Sequence, residues 1–298
     1  MQKKHLLVLL TVCTLTIFAC SKDSIAVKET VTTNFQTAAA AAATVGVCDF
    51  DLNETTLTSA GWSKIFEDNF STDLNKWNIW TGGAYNNELQ LYQASNLTLA
   101  NGILNIAAVK ETKTGPTTNY NTTLKSFDYT SGRIESKTLF SANNANKNIR
   151  MLARIKLPVG NGMWSAFWSY GDPWPTKGEI DILEARGNDP YKYQTNYFYG
   201  TQANINLVQG QEGYVTSESS LTSCWHVVDV TWTKSSLTFS LDGQVFKTNT
   251  GSYVGNLFGK QEKLVLNLAV GGLFFSNLDP TTIQTGTLQV DWVKVFKK

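Results

Sequence analysis

Apolar and polar residues alternate one for one through most of the chain from Cys48 to Lys298. That period commits a chain to β-strands with one face buried. Two Gly-containing dipeptides sit where adjacent strands have to reverse. Leu97-Thr-Leu-Ala runs into Asn101-Gly102 and then Ile103-Leu-Asn-Ile-Ala. Leu237-Thr-Phe-Ser-Leu runs into Asp242-Gly243 and then Gln244-Val-Phe-Lys. Both read as tight hairpins. The alternation predicts further strands at Ser131 to Lys137, Ile149 to Lys156, Trp164 to Tyr170, Cys224 to Trp232, Lys263 to Val270 and Thr287 to Phe296. No long segment has a helical period, and no segment repeats. The expectation is an all-β domain over residues 47–298 built of two packed sheets, with a concave face able to hold an extended polymer.

One strand breaks the chemical rule that the others follow. Glu179-Ile180-Asp181-Ile182-Leu183-Glu184 places three carboxylates among residues that otherwise read as core. Taking a carboxylate out of water is costly, and like charges on one strand repel. Glu179 and Asp181 share a face. Regular alternation would put Leu183 with them and turn Glu184 into the core. An extra residue near Ile182-Leu183, a β-bulge, returns Glu184 to the face of the other two. Paired carboxylates about 5 Å apart are the working parts of a retaining glycosidase. The competing reading is that the acids only pair with a cation such as Arg186.

Gly178-Glu179-Ile-Asp181-Ile-Leu-Glu184 resembles the signature of glycoside hydrolase family 16 in its laminarinase-like form, which carries the inserted residue. The likeness continues in Asn86-Asn87-Glu88-Leu89-Gln90, Thr130-Ser131-Gly132-Arg133, Gly162-Met-Trp164-Ser-Ala-Phe-Trp168, Leu266-Asn267-Leu-Ala-Val-Gly271-Gly272 and Val290-Asp291-Trp292. The resemblance implies a concanavalin-like jelly-roll sandwich of two curved antiparallel sheets and an endo-acting hydrolase of internal β-glycosidic bonds. It makes Glu179 the nucleophile, Glu184 the acid and then the base, and Asp181 the group that tunes both. On this reading the charges of Glu179 and Asp181 keep Glu184 protonated. The first substrate expectation is a β-1,3-glucan such as laminarin, or a mixed-linkage glucan. A galactan, a mucin-type glycan or transglycosylation is the alternative with the same site. A non-catalytic glycan-binding protein is the alternative without it.

Aromatic residues are the natural platforms for sugar rings, although most aromatics fill core. Trp164 and Trp168 alternate onto one face, and Trp174 lies in the Asp172-Pro-Trp-Pro loop before the carboxylate strand. These three, with Asn86, are the substrate-binding candidates. The resemblance has a gap. Laminarinase-like members carry a His on the strand after the carboxylates, whereas here the stretch is Gln194-Thr-Asn-Tyr197-Phe-Tyr199-Gly. Tyr197 and Tyr199 share a face and are the candidate replacements. The resemblance also implies a structural calcium held by Asp291 and by carbonyls near Asn69 and Gly102, with no cofactor needed for the chemistry. An acidic residue on an edge strand is the plainer account of Asp291. His226 is the only His beyond His5, which speaks against a histidine triad or a zinc site.

Lys3 and Lys4 precede an apolar run, Leu6 to Ala19, that is short for a membrane span. It ends Ile17-Phe18-Ala19-Cys20, which resembles a bacterial lipobox. That implies a signal peptide over residues 1–19, a lipid on Cys20, and attachment to a bacterial membrane in the cell envelope, outer membrane first. A plain secretory signal is the alternative. Residues 20–46 are polar, with an alanine run at Ala38 to Ala43, and read as a tether. Cys48 and Cys224 then face an oxidising compartment, either as a disulfide or as two buried thiols. The 25 Lys and Arg against 24 Asp and Glu give no basic excess for nucleic acid. The expected partners are a polysaccharide and a membrane, and the expected state is a monomer.

Overall fold

Both turns fold as their residues require. Asn101 and Gly102 have φ of 55° and 73°, and Asp242 and Gly243 have 51° and 77°. Two positive φ values in succession define the type I′ turn, which strains residues other than Gly, Asn and Asp. The computed structural model describes residues 45–298. The signal segment, Cys20 and the spacer up to residue 44 lie outside the described residues. Residues 45 and 46 belong with the domain rather than the tether: Val45 is buried in the core, and its carbonyl accepts from Glu218 N at 2.9 Å.

The strands assemble into two sheets. One has seven strands in the order Gly213–Thr216, Lys192–Phe198, Glu179–Arg186, Met163–Tyr170, Glu262–Val270, Arg133–Phe140 and Trp77–Ile79, each antiparallel to its neighbour. The other is centred on His226–Trp232, Ile149–Lys156 and Gly286–Lys297. One pair departs from the antiparallel rule: Gln90–Tyr92 runs parallel to Asn121–Ser131. Between the sheets lies a single core that includes Met151, Phe167, Leu183, Phe239 and Leu266, all at most 1% exposed. Within the seven-stranded sheet, residues of one parity fill that core and residues of the other parity stand on the open face.

Several elements were not legible in the alternation, the short strands Trp77–Ile79, Gln90–Tyr92 and Gly213–Thr216 among them. The hairpin of Ile103–Thr118 and Asn121–Ser131 runs well past the hydrophobic stretch, because residues 121–126 are exposed on both faces and show no period. Helix Glu54–Ser59 is one and a half turns long, capped by the Asn53 side chain on Thr55 N. Its Leu57 covers Leu152, Val227, Trp292 and Phe296 on the outer side of the second sheet. That cover explains why those strands are apolar on both faces.

Cys48 and Cys224 form a disulfide, 176 residues apart in sequence. Closing so long a loop removes much of the unfolded chain's freedom. The bond joins the segment at the domain's start to the loop that leads into His226–Trp232. Replacing both cysteines by serine should cost about 2–5 kcal/mol. In a domain of this size that is a fall in Tm of roughly 5–15 °C, read by calorimetry, with activity at 25 °C retained. An unchanged Tm would show that the bond does not constrain the fold.

Candidate active site

The strand Glu179–Arg186 carries the expected bulge. Against Met163–Tyr170 it pairs Asp181 with Trp168 and then Leu183 with Phe167; against Lys192–Phe198 it pairs Asp181 with Asn196 and then Glu184 with Gln194. Ile182 is the extra residue. Ile180, Ile182, Leu183 and Ala185 are all buried in the core between the sheets. Two successive core residues reset the alternation, so Glu179, Asp181, Glu184 and Arg186 stand together on the open face.

The three carboxyls differ in their partners. Glu184 accepts from Trp164 Nε1 at 3.1 Å and from Gln194 Nε2 at 3.3 Å. Asp181 is 3% exposed, and its Oδ2 has no partner of hydrogen-bonding geometry. The buried Trp174 Nε1 leans toward Glu179 without closing a hydrogen bond. Burial, and then the charge of Glu184, push Glu179 up to about 8, while Trp174, Arg133 and Asp181 pull the other way. Burial also lifts Asp181 well above the carboxylate range, with the charges of Glu179 and Glu184 adding to it. The influence of each on the other pulls Glu179 down and Asp181 up, which favours the proton on Asp181 and the charge on Glu179. Burial raises Glu184 as well, opposed by its two donors and by Arg186. The neighbouring acids were expected to lift Glu184; desolvation does so instead, and the mutual repulsion is felt most by Glu179 and Asp181.

A second set of charges lies beside the first. Arg133 Nη2 meets Glu135 Oε1 at 2.6 Å, and its guanidinium lies 4.1 Å from the Trp80 ring centre and 4.9 Å from that of Trp168. Burial alone would raise Glu135, but Arg133 and Lys263 overcome it and hold the carboxyl low. Glu88 is pushed up to about 6 by burial, against donors Gln90 and Tyr92. A run of hydrogen bonds then crosses the face: Tyr92 donates to Glu88 at 3.2 Å, Asn267 Nδ2 donates to Tyr92 at 3.1 Å, and Trp168 Nε1 donates to Asn267 Oδ1 at 2.7 Å. The sequence motifs contained Glu88, Gln90, Arg133, Trp168 and Asn267 but not Trp80, Tyr92, Glu135 or Lys263, and apart from Trp168 their place in the site was missed. A signal was present: Arg133 and Glu135 are opposite charges two apart, hence on one face of a strand, and Asn267 interrupts Leu264-Val-Leu-Asn-Leu.

The aromatic candidates divide. Trp164 stacks on Phe274 at 4.6 Å and 13°, with Arg186 on the other contact of that ring at 3.7 Å. Trp168 stacks on Tyr170 at 5.0 Å, and Trp174 tilts over Phe198 at 6.1 Å. All three are half-buried on the open face. Tyr197 and Tyr199 are not there. Tyr197 is fully buried with its hydroxyl on the Ser252 carbonyl at 2.6 Å, and Tyr199 is buried against Tyr253. The strand register decides this. Gln194 pairs with Glu184 and Asn196 with Asp181, so Gln194, Asn196 and Phe198 take the open face and the tyrosines take the core. Phe198, cross-strand neighbour of Glu179, fills the place that the tyrosines were expected to fill.

Asn86 stands exposed at the rim with φ of 61°, its carbonyl accepting from Leu273 N at 2.7 Å. That places it beside Gly272 and Trp164 and also accounts for it as a turn residue. His226 lies in the other sheet, 1% exposed, with Nδ1 2.7 Å from Asp242 Oδ2. The calcium candidates do not fit an ion as arranged. The Asn69 carbonyl lies against Gly102, but Asp291, the sole carboxylate of the set, meets Arg154 Nη1 at 2.6 Å. Calcium takes six to eight oxygens, and a guanidinium already neutralises this one. Among the described residues no group of three or more His, Cys, Asp or Glu side chains is placed to hold a metal.

Known proteins are similar to this chain in sequence and in fold. The chain is 31% identical over 270 residues to the glucan endo-1,3-beta-glucosidase A1 of Niallia circulans, covering 80% of this chain and 38% of that protein. It is 32% identical over 260 residues to the glucan endo-1,3-beta-glucosidase of Cryptopygus antarcticus, covering 78% and 91%. The chain thus spans well under half of the first relative and most of the second. Among solved structures, the endo-beta-1,3-glucanase from Pyrococcus furiosus is similar with a TM-score of 0.67 at 30% identity, over 79% of this chain and 94% of that one. The laminarinase catalytic domain from Thermotoga maritima is similar with a TM-score of 0.66 at 26% identity, over 80% and 98%. Residues 77–294 match the glycosyl hydrolases family 16, and with the bulged carboxylate strand at its centre the chain belongs to that family.

Proposed function

We propose that this chain is a retaining, endo-acting hydrolase of β-1,3-glucan, with laminarin as first substrate. The observation that carries the reading is the bulge at Ile182, which brings Glu179, Asp181 and Glu184 onto one open face beside Trp164, Trp168 and Trp174. The relatives named as endo-1,3-beta-glucosidases and the laminarinase-like structures support the choice of polymer.

The chemistry follows from the partners of each acid. Glu179, its charge favoured by the Asp181 proton and the Trp174 N–H, attacks the anomeric carbon as carboxylate. The bond to the leaving oxygen breaks, and that oxygen takes the proton of Glu184. Trp164 and Gln194 hold the Glu184 carboxyl on both oxygens, so its proton has a fixed direction. Glu184, now ionised, takes a proton from water. The water oxygen attacks the anomeric carbon, the ester to Glu179 breaks, and configuration is retained. The stacked pairs Trp168–Tyr170 and Trp164–Phe274 supply flat apolar surface for sugar rings.

The amino-terminal segment carries a separate part of the reading. Cys20 takes a lipid after cleavage behind Ala19, which places the enzyme in the cell envelope. Metabolic labelling with a fatty-acid analogue should mark the protein, and Cys20→Ala should abolish the label. A labelled Cys20→Ala protein would rule this out.

Proton NMR of newly released reducing ends from laminarin should show the β-anomer first; prompt α-anomer would exclude a retaining reaction. Glu179→Gln should lower kcat by about 10⁴-fold or more while glycan binding persists. Persistent cleavage would remove Glu179 from the nucleophile role.

The raised carboxyls also predict a stability effect. A carboxyl whose folded pKa exceeds its unfolded value keeps its proton longer in the folded state, so stability falls as pH rises from about 4.5 toward 8. Asp181→Asn removes a carboxyl that keeps its proton in the folded state and gives it up on unfolding at pH 8. It should raise Tm at pH 8, by about 2–4 °C per kcal/mol of that proton-uptake cost relieved, and leave Tm at pH 4 nearly unchanged. An equal shift at both pH values would locate the effect in packing instead.

A further inference from the structure

A cavity of about 450 Å³ opens beside the carboxylates, lined in part by Tyr170, Asp172, Lys177, Lys260 and Lys263. Register fixes where it lies. Glu179 pairs with Tyr170, Tyr170 with Lys263, and Lys263 with Leu139. These four residues make one row across the sheet. Lys263 therefore stands two strands, about 10 Å, from Glu179. That is within reach of a sugar a place or two along a bound chain.

The charges of the cavity are unequal. Lys263 Nζ is held between Glu135 Oε2 at 3.0 Å and Asp172 Oδ2 at 2.9 Å. Glu135 is matched in turn by Arg133. Lys177 and Lys260 also line the cavity, and among the described residues neither has an ion-pair partner within 4.0 Å. Two unmatched ammonium groups thus remain at one recess, beside a third that is partly matched. An anion in the recess relieves their repulsion, and a low-dielectric wall strengthens the attraction. Neutral polar groups from Ser141, Asn143 and Gln261 and the side chain of Leu139 also line it. A neutral glucosyl hydroxyl needs none of this charge.

We propose that this recess is a subsite for an anionic substituent, a sulfate ester or a carboxylate, carried by the glycan near the bond that is cut. The proposal rests on the polysaccharide-hydrolase reading and deepens it. The enzyme then prefers a decorated polymer over its plain counterpart, and salt weakens the preference.

The test compares kcat/KM on neutral, lightly sulfated and carboxymethylated laminarin at low and high salt. At least one anionic polymer should be preferred about fivefold or more at low salt, and which one identifies the group. Lys177→Ala with Lys260→Ala should abolish that preference through KM and leave the neutral polymer within twofold of wild type. No preference, or an equal loss on all three polymers, would overturn the subsite while leaving the hydrolase reading intact. Should wild type cut none of the three, the choice of polymer fails separately. The recess is then read by calorimetry, titrating Glu179→Gln with sulfated and with neutral laminarin oligosaccharides. Tighter binding of the sulfated form, lost in the lysine variants, supports the subsite; equal binding overturns it.

Discussion

A sheet that must be apolar behind and charged in front has little freedom in where its residues fall. Every side chain on a strand goes one way or the other, and a slip by one residue exchanges the two faces. In Glu179–Arg186 that constraint is met by spending two consecutive residues, Ile182 and Leu183, on the core. Without that step Glu184 would enter the core and Leu183 would stand among the acids. The arrangement of the site, from the Trp164 contact on one Glu184 oxygen to the Gln194 contact on the other, depends on this local irregularity.

Three crowded acids, Asp181 buried and Glu179 and Glu184 half-buried, would be hard to tolerate on an otherwise neutral face. The open face is not neutral. Arg133 is enclosed by Trp80, Trp168 and Tyr170, Lys263 bridges Glu135 and Asp172, and Arg186 lies over Phe274. Aromatic rings do two things here. They offer surface to sugars, and they hold guanidinium groups in place by their faces, where the electron-rich ring favours a cation. Positive charge is fixed close to the acids without ion-pairing directly to them, so the acids keep their raised proton affinity. The competing reading, in which the acids only pair with Arg186, does not hold: its guanidinium donates to the Phe274 carbonyl and acts on Glu184 only through its charge.

Much of this was legible in the residues. Alternation gave the strands, Asn101-Gly102 and Asp242-Gly243 gave the turns, and the spacing of the three acids required the bulge. What misled was the strand Lys192–Phe198. Tyr197 and Tyr199 looked like the sugar-facing pair because they are large and aromatic, but only the register against Asp181 and Glu184 decides parity. Register is a property of two strands together, and one strand's sequence does not contain it. The pairing of Asp291 with Arg154 was hidden for the same reason, since 137 residues separate them. Asn267 was visible as a polar residue in an apolar run, yet its link to Glu88 through Tyr92 needs a loop and two strands distant in sequence to be set side by side.

The disulfide between Cys48 and Cys224 has a mechanical meaning. A pull on the chain from before Val45 meets first the bonds of Val45 and Gly46 to Glu218 and Ser219, and then Cys48, where a covalent bond carries it into the loop ahead of His226–Trp232. Arg154, on the neighbouring strand of that same sheet, grips the carbonyls of Asp49 and Phe50 beside the bond. Load beyond Cys48 is therefore shared with the sheet that carries no part of the site. The residues before it are anchored beside Gly213–Thr216, the edge strand of the other sheet, two strands away from the acids.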